Sequence, residues 1–511
     1  MIQKVHIEFQ RVQTWLFAVP RLRAMVGANT LLGEILREEL PRLAKKDNGA
    51  RWQLQAAGET YPGGVDEDPL KSHDDPAADA KAGILSRDGG HFEACFERGA
   101  AEFAKAAGAL LRRELPGLRF RISIDDKAVD STTVALSKEL PVLAPCEWTG
   151  RGLASKDIRQ GTEQAAVSLD VSRRHEAACR AEKGNAEDLA SLLTATTTLG
   201  NLLRPQTFQY LAGAGYLALI HADGNGVGAA SSKAEGEAGR AAFFHRNRVL
   251  LRRALHAAIN TSCEDMDTAP LLLLMLGGDD VLVVCKAGVA FPFVVTLCDE
   301  LARLQEGDGG DFNLTLGVGV VIARPTIPIH RLHEVAQNLT ASAKRRFRGF
   351  TSGESRSVVD WAVYTASVLD DIEEMRRRDW LRKSGKTIRI LSQRPVDVLG
   401  EGLGNLEGLL HAAGELEGAP RSQLRYLVEQ LPKGKTLSEL AFAKLSLDTQ
   451  RALESAGVEH VWTDVEGSLM TPLLDLIELY EINRLGRTAT SPAGAGMIGE
   501  GEEEAIANVQ A

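Results

Sequence analysis

Tyr216-Leu-Ala-Leu-Ile-His-Ala-Asp223-Gly-Asn-Gly-Val-Gly228 is the stretch from which the fold can be read. An apolar run ends there in an aspartate and a glycine-rich turn. A second run, Leu271-Leu-Leu-Leu-Met-Leu276, ends in Gly277-Gly278-Asp279-Asp280 and resumes at once as Val281-Leu-Val-Val-Cys285. Short apolar runs bounded by turn residues are the pattern of buried strands. The second motif therefore predicts a tight hairpin with two carboxylates at its tip, its glycines taking positive-φ positions. Between the runs, residues 237–259 read as an amphipathic helix with Phe244, Leu251, Leu255 and Ala258 on one face.

A following helix (291–304) and strand (313–322) complete a βαββαβ unit. In that topology the first strand lies beside the second arm of the hairpin, which brings Asp223 towards Asp279 and Asp280. Three carboxylates at one point raise each other's pKa unless cations hold them. Magnesium, or manganese, suits such oxygen ligands, with the Ala222 carbonyl as a further ligand. Two ions about 3.5–4 Å apart would activate an attacking hydroxyl and stabilise a departing pyrophosphate. Backbone N–H groups of the Gly224–Gly228 run, Gly224, Asn225 and Gly226 among them, at the start of the next helix are the expected triphosphate contacts, and Gly277 and Gly278 are further nucleotide-binding candidates. Either acidic motif alone reads equally well as a surface turn. Both, in βαββαβ order, argue for chemistry.

These residues resemble the palm domain of the large, polymerase-like subunit of type III CRISPR effector complexes, a family related to the GGDEF cyclases. The likeness continues through Leu316-Gly317-Val-Gly319, the helix 329–346 with Ala343-Lys344, and Val358-Val-Asp360-Trp361. The departure is Asn225, where the family often has a second acidic residue. The resemblance implies ATP as substrate, 3′-to-5′ joining with release of pyrophosphate, closure to cyclic oligoadenylates, and a triphosphate contact from Lys344. Guide RNA, target RNA and other effector-complex subunits are the partners it implies. No His-Asp pair stands near the N-terminus, where the family often carries an HD nuclease domain, so the expectation is a version that makes signals and does not cut DNA.

The chain has 511 residues and a formal charge of −10, enough length for about three domains and no global basic field to advertise nucleic acid. Six cysteines without a C-x-x-C suggest buried thiols in a reducing cytoplasm. No apolar run approaches the length of a membrane span, so no membrane partner is expected. A homo-oligomer is left open.

The first half repeats the order of the second. A strand (5–9) and a helix (19–40, stopping before Pro41) come first. A hairpin around Gly89-Gly90-His91, a helix (99–115) and a strand (118–124) follow. Gly27 and Gly33 weaken the pattern for that first helix, and residues 47–82 read as a mobile polar insertion. Only Glu8 is acidic near the end of the first strand, so this copy cannot build a three-carboxylate cluster. The family carries such a degenerate first palm, and the stretch 13–33 resembles it. The fold expected is thus α/β (α+β), with two ferredoxin-like palms and a C-terminal helical domain. Its boundaries are 1–134 for the degenerate palm, 135–210 for a connector, 211–362 for the catalytic palm, 363–487 for the helices and 488–511 for a disordered tail.

In the connector Cys146, His175 and Cys179 are the zinc candidates, too few for the four ligands zinc takes. A possible edge strand at 387–391 and amphipathic helices at 366–380, 406–416, 423–431, 437–443, 448–456 and 469–483 fill the C-terminal part. The leading function is a metal-dependent nucleotidyltransferase, with a donor triphosphate on Asp223, Asp279 and Asp280 and an acceptor against Gly89, Gly90 and His91. A non-catalytic palm scaffold and a stand-alone GGDEF-like cyclase are the alternatives.

Overall fold

The computed structural model describes residues 2–46, 67–75, 78–79, 82–87, 90–132, 144–160, 163–182, 188–213, 215–234, 236–306, 312–350, 355–364, 372–384 and 387–488. It is a mixed α/β fold built on two related sheets. The first has the order β2-β3-β1-β4-β5, from Ile84–Ser86, His91–Phe96, Gln3–Gln10, Arg119–Ile124 and Lys127–Ser131. The second has the order β15-β12-β11-β8-β10-β9, from Val396–Asp397, Val358–Tyr364, Leu316–Ala323, Leu217–Gly224, Asp280–Lys286 and Leu271–Leu276. In each, the strand that opens the unit is central, flanked by the second hairpin arm on one side and the closing strand on the other. The internal repeat expected from the order of elements is therefore present in the pairing.

Register makes the repeat finer. Asp280 pairs with Asp223 in the second sheet, and His91 pairs with Glu8 in the first. Gly224 N donates to the Asp279 carbonyl, as Phe9 N does to that of Gly90. By structure, then, Gly90 stands where Asp279 does and His91 where Asp280 does, one residue along from the match the glycine pairs suggest.

The second sheet is buried on both faces. Ile220, Val283 and Val320 pack with the helices Gly236–Ser262 and Ala287–Arg303, while Leu219, Leu282 and Val321 pack in the core that also holds Phe92, Phe120 and Met25 of the first palm. That two-sided burial explains why β8 and β11 read as continuous apolar runs. The helix expected at 237–259 is Gly236–Ser262, with Leu251, Leu255 and Ala258 fully buried. Phe244 departs from expectation and is exposed, while its neighbour His245 is buried.

Two expectations are corrected in the first half, and one glycine finds its reason. The first helix does not stop before Pro41: Leu22–Glu34 passes through a π-turn, Ile35–Glu39, into Leu40–Lys46. The widened turn just before the proline gives its ring room. Gly27, a poor helix former, has a packing role in this helix. A Cβ there would collide with the Arg174 carbonyl, so glycine lets the helix Leu169–Glu182 pack against it. Within the polar insertion, residues 67–75 are packed, not mobile: Leu70 is fully buried and Arg252 holds Asp68 at 3.0 Å and Asp74 at 2.5 Å. A sparse apolar pattern between Pro69 and Pro76 concealed one anchoring leucine.

The connector holds a hairpin (β6, Lys156–Gln160; β7, Glu163–Val167) and short helices, one of them Leu189–Ala195 capped by Asp188. In the C-terminal part, helices Leu406–Glu415, Arg421–Gln430, Lys435–Ala443, Leu447–Ser455 and Leu473–Thr488 surround a four-stranded sheet. Its order is β13-β14-β17-β16, from Leu381–Ser384, Thr387–Ile390, Ser468–Met470 and Thr463–Val465. β14, read as an edge strand, is paired on both sides, and Leu469 lies in β17 rather than in the helix expected at 469–483. Of the tail expected at 488–511, Thr488 ends the last helix and residues 489–511 lie outside the described residues, as do residues 365–371. Among the described residues no helix is long and apolar enough to cross a membrane.

Candidate active site

The hairpin turn closes through two hydrogen bonds, Gly277 N to the Asp280 carbonyl at 2.8 Å and Asp280 N to the Gly277 carbonyl at 3.3 Å. Neither Gly277 nor Gly278 has the positive φ expected of it. A Cβ on Gly278 would meet nothing within 4 Å, so its bareness keeps the cavity open rather than permitting the turn. Gly226, by contrast, has φ 70 at the start of the helix Val227–Ser231.

Strand pairing places Asp223 and Asp280 opposite one another, and each carboxylate has a different neighbour. Lys344 Nζ lies 2.5 Å from Asp223 Oδ2. Gln13 donates to Asp280 Oδ2 at 2.7 Å, and His221 Nε2 is 2.9 Å from Asp280 Oδ1. Asp279 titrates far above an ordinary carboxyl, at about 6, because burial and then the Asp223 and Asp280 charges disfavour its ionised form, with Lys344 opposing. Gly224 and Gly317 allow this crowding: a Cβ at Gly224 would stand 2.7 Å from Asp279 Oδ2, and one at Gly317 2.7 Å from Lys344 Cγ.

A cavity of ≈ 500 Å³ opens in front of the carboxylates. Asp223, Gly277, Gly278, Asp279 and Asp280 form one wall, and Gln13, Asn29, Arg37, Arg87 and Gly90 belong to the other. The two palms thus face each other across it. Its size is in the range of small-molecule sites.

Not every expected residue reaches this cavity. Asn225 is buried, with its N donating to the Thr315 carbonyl at 2.8 Å and its Nδ2 to Thr315 Oγ1 at 3.2 Å. The Gly224 and Asn225 amides, expected to be offered to phosphate, are both used inside the fold. Gly226 faces Phe347 and Phe312, outside the cavity lining. Ala222 is buried between Val281 and Val318. His91 stacks on His6, with Nδ1 3.1 Å from His6 Nε2, and is directed away from the cavity, as alternation along a strand requires once Gly90 faces it. Gly89 lies outside the described residues.

Sequence reasoning missed Gln13, His221, Arg37, Arg87 and Gln337. His221 had a legible signal: it is the polar residue two before Asp223, hence on the same strand face. Thr340 Oγ1 lies 3.2 Å from its Nδ1, Gln337 donates to Gln13, and His333 packs beside it with ring centroids 5.8 Å apart. Burial and the His221 charge push His333 down to about 3.

For a divalent cation the donor chemistry fits: three carboxylates on adjoining positions, one of them raised in pKa by burial and by the charges of the other two. In the present arrangement Asp223 and Asp280 are turned to Lys344, Gln13 and His221. Among the described residues no group of three or more His, Cys, Asp or Glu side chains stands in metal-holding geometry, Cys146, His175 and Cys179 included.

Residues 216–349 match the family model for the second palm domain of Cas10/Cmr2. This palm is similar to a Cas10/Cmr2 second palm domain. The resemblance to the large subunit of type III CRISPR systems is thereby shown for the part of the chain that carries the carboxylates. The match ends at Gly349, just after the helix Ile329–Arg348 that bears Lys344. Across the wider chain, a chain of the solved Csm1–Csm4 cassette in complex with pppApApA is similar at 14% identity and a TM-score of 0.51, covering 94% of this chain and 69% of that one. Csm1 from T. onnurineus is similar at 14% identity over 95% and 69% of the two chains, with a TM-score of 0.49. At such identities the likeness concerns the fold alone. No curated protein matches the chain.

Proposed function

We propose that the protein is a metal-dependent nucleotidyltransferase that joins ATP into cyclic oligoadenylate-type messengers, as the signalling subunit of a type III CRISPR system. The observation that carries this reading is one cavity with Asp223, Asp279 and Asp280 on one wall and the degenerate palm on the other. The Csm1–Csm4 cassette of similar fold, solved in complex with pppApApA, supports the substrate class.

Asp223, Asp279 and Asp280 would hold magnesium or manganese, which would supply activation of the attacking hydroxyl and neutralise the leaving pyrophosphate. The chain's own groups prepare that site. Gln13 and His221 fix the orientation of Asp280. Lys344 neutralises Asp223 until a cation replaces it, and is then placed to meet phosphate as a point charge. A non-catalytic scaffold is favoured only by these existing partners of Asp223 and Asp280.

Chromatography of products formed from ATP with magnesium tests the reading. Wild-type protein should release pyrophosphate and oligoadenylates, and Asp279→Asn with Asp280→Asn should abolish both magnesium-dependent binding and turnover. Equal turnover in the double variant would return the palms to a scaffold role.

A further inference from the structure

The wall of the cavity facing the carboxylates carries two largely buried arginines and one buried carboxylate, Asp188, which is held by Asn29 and Thr30. Arg37, in the π-turn, and Arg87, just after β2, both line it, with side chains only 5% and 14% exposed. Their guanidinium groups gather around Asp74, at 3.6 Å and 3.7 Å. Both also donate to the His73 carbonyl, and Arg87 holds Asp79 at 2.8 Å. From the second palm, Arg252 reaches Asp74 at 2.5 Å and Arg248 approaches it at 3.9 Å. Burial alone would raise the Asp74 carboxyl, yet Arg252, Arg248 and Arg37 hold it well below the usual range.

Guanidinium groups already desolvated and fixed around one anion are prepared for another, because their planar forks match phosphate oxygens in pairs. The need for such a group follows from charge. A donor triphosphate belongs to the carboxylate wall with its cations. The acceptor carries a triphosphate that does not react, and two such chains in ≈ 500 Å³ repel each other unless the second has cations of its own. Arg11 also lines the cavity but is exposed at its rim.

The geometry points to Arg37 and Arg87 as the subsite for the unreacted 5′-triphosphate of the acceptor, with Asp74 as the internal carboxylate that keeps them in place. Segment 67–75 thereby acts as a brace, carrying Asp74 across from the first palm to the helix Gly236–Ser262 of the second. The inference rests on the nucleotidyltransferase reading and adds the residues that hold the second nucleotide. ATP and a 5′-triphosphorylated oligoadenylate present the same group here.

Calorimetric titration of the full chain with inorganic tripolyphosphate, in the presence of a chelator, tests it without turnover. Wild-type protein should bind one tripolyphosphate per chain. Arg87→Gln should weaken binding by about tenfold or more, the scale of a lost bidentate charge-assisted contact. Arg248→Gln, which loses the same Asp74 neighbour without lining the cavity, should change it by less than about twofold. If Arg87→Gln fails to fold, Arg87→Lys keeps the charge and should still weaken binding. Parallel titrations with ATP and with a 5′-triphosphorylated adenylate dinucleotide show which source binds more tightly, and both should depend on Arg87. Absence of tripolyphosphate binding, or equal losses in the Arg87 and Arg248 variants, overturns the subsite. If wild-type protein binds through Arg87 yet shows no magnesium-dependent turnover, the catalytic reading fails and the anion site stands.

Discussion

Gln13, in the first palm, donates its side-chain amide to Oδ2 of Asp280, in the second, at 2.7 Å. The contact crosses the cavity boundary, so a residue with no acid–base chemistry of its own sets the direction of a carboxylate in the other domain. His221 holds the second oxygen, and Gln337 in turn holds Gln13. Partners that orient a metal-binding carboxylate typically matter by about 10–100-fold in affinity or activity. Gln13→Ala is expected to lower kcat by that order while leaving thermal stability close to wild type. Steady-state kinetics beside a melting curve checks it; wild-type kcat would remove Gln13 from the site.

The Asp279 carboxyl gives a pH signature. Its value of about 6 in the folded chain lies above the ordinary 3.8, so the folded state keeps a proton that the unfolded chain has released. In metal-free protein the stability linked to this group is therefore complete below about pH 4 and is lost as pH rises through about 6. Divalent cations compete with that proton, so adding magnesium should move the midpoint down. Lys344→Ala, which removes the charge opposing the upward shift, should move it further up in metal-free protein and raise the nucleotide KM. Carboxyl NMR titration with and without magnesium measures both; a midpoint near 4 without metal contradicts the electrostatic account.

The carboxylate wall was legible because each of its residues ends an apolar run, and strand pairing then leaves little freedom: Asp223 must face Asp280 once β8 pairs with β10. The opposite wall was not. Gln13 and Arg37 sit on a short helix, Val12–Leu16, and on the π-turn, whose directions depend on how two palms pack, and no local pattern carries that. Asn225 shows the converse limit. Its place in a glycine-rich turn suggested phosphate contact, but backbone pairing with Thr315 buries it. Leu70 was lost because one apolar residue among prolines and acids gives no period to read.

Leu70 gives a stability prediction. It is fully buried, in the same core as Leu251 and Leu255, and its segment is joined to Arg252 through Asp68 and Asp74. Leu70→Ala should destabilise the protein by about 2–5 kcal/mol, the usual cost of a large-to-small change in a core. Chemical denaturation reads this directly. A change below about 0.5 kcal/mol, the level of a surface substitution, would show that the segment is not part of the folded core.

Gly90 separates backbone strain from cavity shape. It takes the position that Asp279 occupies in the other palm, has φ +80, and a Cβ there would meet only the Phe9 carbonyl and Val12, both at 3.7 Å. Space is therefore available, but any side chain incurs the left-handed backbone cost of about 1–2 kcal/mol. Gly90→Ala carries that cost with little intrusion into the cavity. Gly90→Trp carries the same cost and fills the acceptor's side, away from the carboxylates. Both variants should lose similar stability and keep magnesium binding, while only the tryptophan should raise the KM for ATP and shorten the oligoadenylate products. Melting curves, magnesium titration and product chromatography on the pair decide it. If the two variants make products of the same length as wild type at the same rate, the first palm does not hold the acceptor.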